Sequence, residues 1–547
     1  MLLVKNLRRT MQSIAATRQS IRVLRESGLS GGAVDGVRSF VLAKKYGPFA
    51  GLVESAARRC GSAVAITDYA GDVTFAELNW RVNALSRAWS QRGIGSGAVV
   101  AALCRDHRGL ITVIAAANKV GAQLLLMNTG FAKPQLAEVV RREGVSVLVH
   151  DHEFTGLLDA IDPSVRRFLS DPGTVPVGEA VRLERLIHSS SGAPVPPPAK
   201  PGGLTLLTSG TSGTPKGAPR GKTPPLFSAQ LLDRVPRRRD EVCLLEAPIF
   251  HGTGLGQAVL SLALGNRLVL HRRFDPEATL RAIADYRCNV LVVVPTMLQR
   301  ILTLPADVLD AVDTSSLRII YVSGSAMPPD LVVRTIDRFG PVLYNQYGST
   351  ELAVITVAMP EDLAHDPSTV GRPPAGCRVR LYDDAGVPVT TPHTVGRIFA
   401  GNVVTFGGYT DGRKKQVIDG LLTSGDVGHL DETGRLYVDG RDDDMIISGG
   451  ENVYPQEVEN LICSHRDVLE AGVIGVADPD FGQRLVAFVV LTDDASLDAE
   501  GVKDYVRANL ARYKVPREVE FLDALPRNAT GKVVRSQLQR VKSHGST

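Results

Sequence analysis

Short apolar runs alternate with helical segments along most of this chain, and this alternation restricts the possible folds more than any other feature of the sequence. Beyond about residue 50, eight short apolar runs are predicted strands. They are Val99–Leu103, Leu124–Met127, Val145–Val149, Leu204–Leu207, Val242–Leu245, Leu268–Leu270, Val290–Val294 and Ile319–Val322. A helix is predicted over Pro276–Arg287, and strands that alternate with helices favour largely parallel sheets with helices on both faces. So many strands require more than one such sheet.

The sequence changes character beyond residue 370. Between 370 and 440, frequent glycines separate β-like stretches and predict a small antiparallel β unit, and the C-terminal stretch has the pattern of a separate α+β domain. We therefore predict an α/β protein. Residues 1–45 form an N-terminal extension, and residues 46–441 form a large domain of two doubly wound sheets plus a small β-barrel-like unit. Residues 442–547 form a smaller α+β domain.

Composition excludes several classes of protein. Lys and Arg number 62 and Asp and Glu 58, so a net charge of +4 gives no support for nucleic-acid binding. The six cysteines are scattered without close pairs, which argues against a zinc or redox pair and favours a reducing compartment such as the cytoplasm. No apolar run reaches the roughly 20 residues that span a bilayer.

The N-terminal extension is basic and amphipathic. Before Glu26 it has six basic residues and no acidic one, and its apolar residues recur at helical spacing. The basic residues are Lys5, Arg8, Arg9, Arg18, Arg22 and Arg25. Three interpretations stay open: peripheral contact with a membrane surface, a transit peptide, and a helix packed on its own domain or a loose tail.

The strongest local signal is the stretch LLTSGTSGTPKG, which follows a predicted strand. Its glycines let successive backbone amides approach an anion, its hydroxyls add donors and its lysine adds a charge, so the stretch predicts a polyphosphate-binding loop. The spacing differs from that of a Walker loop. The predicted phosphate-binding residues are Thr208, Ser209, Gly210, Thr211, Ser212, Gly213, Thr214 and Lys216.

Other stretches carry groups suited to a bound nucleotide. In YNQYGSTE, Tyr347 offers a ring for adenine, Thr350 a hydroxyl for a phosphate or carboxylate oxygen, and Glu351 a hard oxygen ligand for Mg²⁺. Asp426 could accept two hydrogen bonds from a ribose diol. In PRNATGKVVR, Lys532 could neutralise the charge that develops when a carboxylate attacks phosphorus.

These motifs, in this order, resemble those of the adenylate-forming superfamily, which includes acyl-CoA synthetases, peptide-synthetase adenylation domains and luciferases. The resemblance covers most of the chain after residue 50 and implies ATP, Mg²⁺ and CoA as partners in the reaction. It implies catalytic roles for Lys532, Thr350, Glu351 and His251, with Glu351 as the metal ligand. Beyond the phosphate loop, it implies ATP or AMP contacts for Gly324, Ser325, Ala326, Tyr347, Gly348, Asp426 and Arg441.

The resemblance also implies a second half-reaction at the C-terminal domain. That domain is expected to be mobile and to rotate about Asp443, which withdraws Lys532 and presents the site to a thiol. The implied CoA contacts are Gly449, Gly450, Phe481, Lys514 and Arg517.

One segment departs from the family pattern. After Lys216 many relatives carry a Thr-His pair, whereas this chain has the proline-rich run APRGKTPP. The run resembles a fatty-acyl subgroup, and together with the basic extension it leads us to expect a fatty acid-CoA ligase for medium or long chains.

Three alternatives to that activity stay open. One is an acyl-AMP ligase that loads a carrier protein, and another is a CoA ligase for aryl or other carboxylic acids. The third is a non-catalytic nucleotide-binding scaffold, which the presence of Lys532, Glu351 and the phosphate loop disfavours.

Overall fold

The computed structural model describes residues 19–20, 22–29, 33–171, 181–208, 215–220, 226–402, 406–448, 451–478, 482–528 and 531–544. Within these ranges, no helix is long and apolar enough to cross a bilayer. The strands are β1 (Val64–Asp68), β2 (Gly71–Thr74), β3 (Val99–Leu103), β4 (Gln123–Leu126), β5 (Val147–His150), β6 (Arg166–Leu169), β7 (Leu204–Thr208), β8 (Lys216–Arg220), β9 (Val242–Leu245), β10 (Arg267–Leu270), β11 (Val290–Val293), β12 (Ile319–Ser323), β13 (Leu343–Tyr347), β14 (Thr356–Ala358), β15 (Arg378–Tyr382), β16 (Pro388–Val389), β17 (Gly396–Gly401), β18 (Val417–Ile418), β19 (Leu421–Leu430), β20 (Leu436–Arg441), β21 (Ile446–Ser448), β22 (Glu451–Val453), β23 (Val468–Asp478), β24 (Gly482–Leu491) and β25 (Glu518–Phe521).

Helices lie between most of the strands in the first part of the chain. They are α1 (Ala33–Tyr46), α2 (Pro48–Cys60), α3 (Phe75–Ser90), α4 (Arg108–Val120), α5 (Lys133–Arg142), α6 (Leu183–His188), α7 (Leu226–Arg234), α8 (Gly252–Leu264), α9 (Pro276–Asp285), α10 (Pro295–Leu302), α11 (Ala306–Asp310), α12 (Pro329–Phe339), α13 (Pro360–His365), α14 (Pro455–Cys463), α15 (Ala499–Asn509) and α16 (Arg535–His544). Two 3-10 segments occupy His152–Ala160 and Arg512–Lys514.

All eight predicted strands are present, with ends that differ by at most two residues. The predicted helix after residue 275 is α9. Its start is fixed by the Asp275 side chain, which accepts a hydrogen bond from the Ala278 amide at 2.8 Å, and by Pro276 in the first turn. It ends two residues before the predicted Arg287, because Arg287 has a left-handed φ of 48°.

Two largely parallel sheets form the large N-terminal part. The first has the strand order β14-β13-β12-β11-β9-β10-β1-β2, in which only the outer strands β2 and β14 run antiparallel to their neighbours. The second has the order β6-β5-β3-β4-β7-β8, with β8 antiparallel. Their central strands are mostly apolar because helices cover both faces, and all four residues of β11 are apolar and buried. The predicted pair of doubly wound sheets is confirmed.

Two smaller sheets follow in the chain. The third sheet is antiparallel, with the order β16-β15-β17-β19-β18 and β20 paired to β19, and it is the predicted glycine-punctuated β unit. The fourth contains β22-β21-β24-β23, with β25 parallel to β24, and it packs with α14, α15 and α16. This is the predicted smaller α+β part. The limits 1–45, 46–441 and 442–547 remain predictions.

The described part of the N-terminal extension packs on the large domain. Val23 is buried in the main hydrophobic core, and the Gln19 side-chain amide donates to Asp233 at 2.6 Å. Helix α1 buries Leu42 and Tyr46, but its opposite face exposes an apolar patch formed by Val37, Phe40 and Val41. The packed-helix interpretation therefore holds for the residues that are described, and contact with a membrane stays a prediction.

Candidate active site

The carboxyl ends of β9, β12 and β13 lie at one edge of the first sheet. Strand β9 has β10 on one side and β11 on the other, so the order of strands reverses there. In open α/β sheets, ligands bind in the crevice at the carboxyl ends beside such a reversal. The turn after β9 carries His251, and the segments after β12 and β13 carry Gly324–Ala326 and Gly348–Glu351. Three stretches of the sequence-predicted site therefore converge at this edge.

Two positions at this edge require glycine, one because of its backbone conformation and the other because a side chain would not fit. Gly324 has a φ of 109°, a conformation that other residues rarely adopt, and Ser325 and Ala326 follow it. A Cβ on Gly348 would lie 1.9 Å from the carbonyl oxygen of Ala353. Small residues at these positions keep the turns close to the cleft, as the predicted adenine contacts require.

Glu351 is a buried carboxylate with polar and charged neighbours. Its Oε1 accepts a short hydrogen bond from the Tyr409 hydroxyl and lies 3.9 Å from the Lys415 ammonium. Burial acts to raise the pKa of Glu351, but Lys415 and the Tyr409 hydroxyl outweigh it and lower that pKa below its usual value. Glu351 is therefore ionised at neutral pH, and an ionised carboxylate fits Mg²⁺ held jointly with substrate phosphates.

Asp426 and Arg441 face each other on paired strands. They are register partners in β19 and β20, and Arg441 Nη1 lies 3.5 Å from Asp426 Oδ1. The Tyr347 hydroxyl donates a short hydrogen bond to the other oxygen of Asp426. This arrangement brings together the residues predicted for adenine and for ribose, although they are about eighty residues apart in sequence. Thr350 is partly buried in the turn between Tyr347 and Glu351.

Lys532 enters this cleft from the C-terminal part of the chain. Its loop is closed by hydrogen bonds from the Gly531 amide to the Asn528 carbonyl and from the Asn528 amide to the Lys532 carbonyl, both 2.9 Å long. Gly531 lies against Thr296 at the start of α10 in the large domain. The loop therefore contacts the large domain directly.

The charges around Lys532 come from the predicted site. Its side chain keeps contact with solvent inside the cleft, but the protein around it removes part of the hydration of the ammonium. This desolvation lowers the pKa of the Lys532 ammonium, Arg441 lowers it further, and Asp426 and Glu351 oppose the shift. The structure thus unites the predicted catalytic lysine with the predicted ribose and metal ligands.

His251 directly precedes α8 and is partly buried, and its side chain makes no hydrogen bond to the first turn of the helix. Burial lowers the pKa of its imidazole to about 3, and the nearby Lys532 ammonium contributes to the shift. Its Nε2 is buried and has no hydrogen-bond partner among the residues that the structure describes. His251 is therefore neutral at physiological pH, and it offers the cleft a polar atom without a charge.

The phosphate loop is described only at its ends. Thr208 ends β7 and pairs with Lys216 at the start of β8, so the two strands form a hairpin that the loop connects. The Lys216 ammonium lies 5.5 Å from the ring centre of Tyr409 and so near the partner of Glu351. The predicted residues between the strands lie outside the described ranges: Ser209, Gly210, Thr211, Ser212, Gly213 and Thr214.

The predicted CoA contacts and hinge remain predictions. Gly449, Gly450 and Phe481 lie outside the described ranges. The Lys514 ammonium is paired with both oxygens of Glu457, at 2.7 and 2.6 Å, and Arg517 follows in the same segment.

Asp443, the predicted hinge, follows the last strand of the third sheet. Its carboxylate accepts hydrogen bonds from Arg441 at 2.9 and 3.2 Å. The predicted hinge residue is thus linked directly to a predicted ATP contact.

Sequence reasoning missed four residues of the cleft: Tyr409, Lys415, Thr296 and Arg220. Tyr409 and Lys415 lie in the segment that connects β17 and β18 of the third sheet, where no local pattern distinguishes them from surface residues. Thr296 is an ordinary first-turn residue of α10. Arg220 could have been found, because it lies within the run APRGKTPP that departs from the family pattern.

A cluster of possible metal ligands lies at the end of the second sheet. Cys104, His107 and Asp151 are buried with their ligand atoms within 4.8 Å of one another. However, Nδ1 of His107 accepts a hydrogen bond from the Gly109 amide, so the neutral ring carries its proton on Nε2, 3.0 Å from Asp151. Such a ring has no lone pair for a metal, and the cluster is explained by hydrogen bonding within the fold.

Comparison with known proteins agrees with this geometry. The profile of the family "AMP-binding enzyme" matches residues 52–410, and the profile "AMP-binding enzyme C-terminal domain" matches residues 457–532. An indoleacetate–CoA ligase from Aromatoleum aromaticum is 33% identical over 480 residues, covering 86% of this chain and 93% of that protein. A feruloyl-CoA synthase from an Amycolatopsis species is 34% identical over 497 residues, covering 88% and 97%.

Solved structures give the same result. An amide bond synthetase from Marinactinospora thermotolerans has a TM-score of 0.80 and 29% identity, covering 90% of this chain and 99% of that one. The o-succinylbenzoate CoA synthetase from Bacillus subtilis, in complex with its acyl-adenylate intermediate, has a TM-score of 0.77 and 26% identity, covering 89% and 97%. The chain therefore belongs to the family of AMP-binding, adenylate-forming enzymes, in its acid–CoA ligase branch.

Proposed function

We propose that this enzyme activates an aromatic or aryl-substituted carboxylic acid with ATP and transfers the acyl group to CoA. The observation that carries the acid's class is the pair of relatives, each about one-third identical over most of the chain, whose names specify indoleacetate and feruloyl groups. The fatty acid expected from the sequence finds no support in these names. Each named acid carries an aromatic ring, and this feature defines the proposed substrate class.

The cleft supports the first half-reaction. A carboxylate is a poor acyl donor, and its attack on the α-phosphate of ATP gives an acyl-adenylate and pyrophosphate. Asp426 and Arg441, which lie 3.5 Å apart, would hold the ribose, and the Lys532 ammonium would stabilise the charge that develops between the carboxylate and the α-phosphate. Glu351 would hold Mg²⁺ bound with ATP, and the ion would neutralise phosphate charge.

The second half-reaction replaces AMP by the thiol of CoA. Lys532 occupies the cleft in this structure, so a thiol approaching the same carbonyl requires the lysine loop to withdraw. The predicted rotation about Asp443 would achieve this, since Asp443 lies between the third sheet and the strands of the C-terminal part. We infer that the structure represents the arrangement used for adenylation.

Acid-dependent exchange of labelled pyrophosphate into ATP tests the first half-reaction directly. The panel contains indoleacetate, ferulate, 2-succinylbenzoate and benzoate, with octanoate and palmitate as comparisons. We expect at least one aromatic acid to support exchange with a kcat/KM tenfold or more above both fatty acids. A preference for either fatty acid would refute the proposed substrate class.

Thioester formation tests the second half-reaction. The purified enzyme is given ATP, the best acid and free CoA, and the acyl-CoA is quantified by mass spectrometry. Lys532→Ala is the matched control, since it should lose pyrophosphate exchange but still convert supplied acyl-AMP and CoA to thioester. Adenylate formation without acyl-CoA would refute the CoA step and direct attention to a carrier protein or, as the amide bond synthetase relative suggests, to an amine acceptor.

A further inference from the structure

Arg220 lies at the edge of the cleft without an assigned role. It is the last residue of β8, the strand that follows the phosphate loop, and its register partner is Leu204 in β7. A Cβ built on Gly252 would lie 4.0 Å from Nη2 of Arg220. Since Gly252 directly follows His251, the guanidinium of Arg220 reaches the turn at the carboxyl end of β9.

The described residues around Arg220 accept no hydrogen bond from its guanidinium N–H groups. Glu351 is the acidic group whose charge acts on it. Burial lowers the pKa of Arg220 to about 10, so it stays charged at neutral pH. A guanidinium offers five N–H donors, and this partly buried one uses none of them on the described residues, so the position is suited to an anionic ligand.

Two other basic residues, His251 and Lys532, lie near this turn, and neither offers a charged group in a fixed position. His251 is neutral and can contribute only a polar contact. Lys532 is carried by a loop that the second half-reaction withdraws. Arg220 belongs to a strand within the second sheet, so it keeps its position through both half-reactions.

We propose that Arg220 binds the carboxylate of the acid substrate at the His251–Gly252 turn and orients it for attack on the α-phosphate. A planar guanidinium matches a carboxylate with two parallel hydrogen bonds, which fixes direction as well as position. Arg220 is thus a substrate-binding residue that the family motifs do not supply. The proposal rests on the proposed function only in that the substrate is a carboxylic acid.

Steady-state pyrophosphate exchange by wild type, Arg220→Gln and Arg220→Lys tests this proposal. The acid is whichever one wild type uses best, so a wrong substrate class and a wrong role for Arg220 give separate results. Loss of a hydrogen-bonded charge should raise the KM for the acid about tenfold to a hundredfold in Arg220→Gln, with the KM for ATP within about twofold of wild type. Arg220→Lys should recover part of the loss.

Equilibrium binding supplies a readout that a merely structural role would not change. In competition with the acid, its neutral carboxamide should bind wild type much more weakly than the carboxylate does, and Arg220→Gln should lose this preference. Thermal unfolding and thioester formation from supplied acyl-AMP report whether the variants fold. An equal rise in both KM values would assign Arg220 to the phosphates instead, and an unchanged KM for the acid or a retained carboxylate preference would overturn the proposal.

Discussion

Substituting Gly531 should separate the two half-reactions. Gly531 has a φ of 78°, and a Cβ at this position would lie 2.4 Å from Oγ1 of Thr296 in the large domain. An alanine in the left-handed conformation costs about 1 kcal/mol. Displacing the Thr296 side chain from its rotamer costs roughly another 1 kcal/mol. Both costs oppose docking, because an undocked loop can move away from Thr296 and relax its backbone at residue 531.

The expected effect of Gly531→Ala follows from these two costs. Together they amount to about 2 kcal/mol against the docked loop, which slows formation of the acyl-adenylate roughly thirtyfold. Adding Thr296→Ala to Gly531→Ala removes the contact but leaves the backbone strain. The double variant should therefore form the acyl-adenylate roughly fivefold faster than Gly531→Ala alone. Thr296→Ala alone should stay close to wild type.

Two assays distinguish impaired docking of the lysine loop from a defect that affects both half-reactions. Pyrophosphate exchange reports adenylation, and acyl-CoA formation from supplied acyl-AMP reports the step for which we propose that the lysine loop withdraws. We expect Gly531→Ala to impair the first and spare the second. If both rates fall equally, or if Thr296→Ala restores nothing, the contact between Gly531 and Thr296 does not control entry of Lys532 into the cleft.

Three further predictions concern groups that the structure surrounds with protein. Tyr409→Phe removes the hydroxyl that donates to Glu351, so kcat/KM for ATP should fall about tenfold and more Mg²⁺ should be needed for half-maximal exchange; an unchanged Mg²⁺ dependence would contradict this. Burial raises the pKa of Asp106 to about 7, so its protonated form is favoured on folding, and wild type should lose stability as pH rises from about 4 to 7. Asp106→Asn should therefore raise the melting temperature above pH 7 and leave it unchanged below pH 4, whereas a gain of the same size at every pH would refute the reasoning. Lys119→Met removes the ammonium that pairs with the buried Glu54 carboxylate at 2.9 Å, but Arg58 still pairs with that carboxylate, so the fold should be destabilised by about 1–3 kcal/mol; adding Glu54→Gln should recover part of the loss in thermal unfolding, and no recovery would argue against the ion pair as the cause.

The class of fold could be predicted from local patterns because those patterns reflect burial. Strands buried on both faces must be continuously apolar, and β9 and β11 are visible in the sequence for that reason. The ends of elements were less certain, because they depend on single backbone conformations such as the left-handed φ of Arg287.

The candidate site divides in the same way. Glu351, Asp426 and Lys532 belong to short motifs whose residue types match phosphate, metal and ribose chemistry, so the sequence identified them. Tyr409 and Arg220 lack such motifs, and only the fold brings them beside Glu351 and the turn that carries His251.

The sequence by itself determined the class of fold, the family of the chain and the candidate groups for the chemistry. The tertiary structure decided which of these groups meet, and in what charge state. Lys532 lies more than a hundred residues from Asp426, and the pKa of His251 depends on burial by segments that no local pattern specifies. Residue type and spacing are properties of the chain, whereas proximity and desolvation exist only after the sheets and the C-terminal part have packed together.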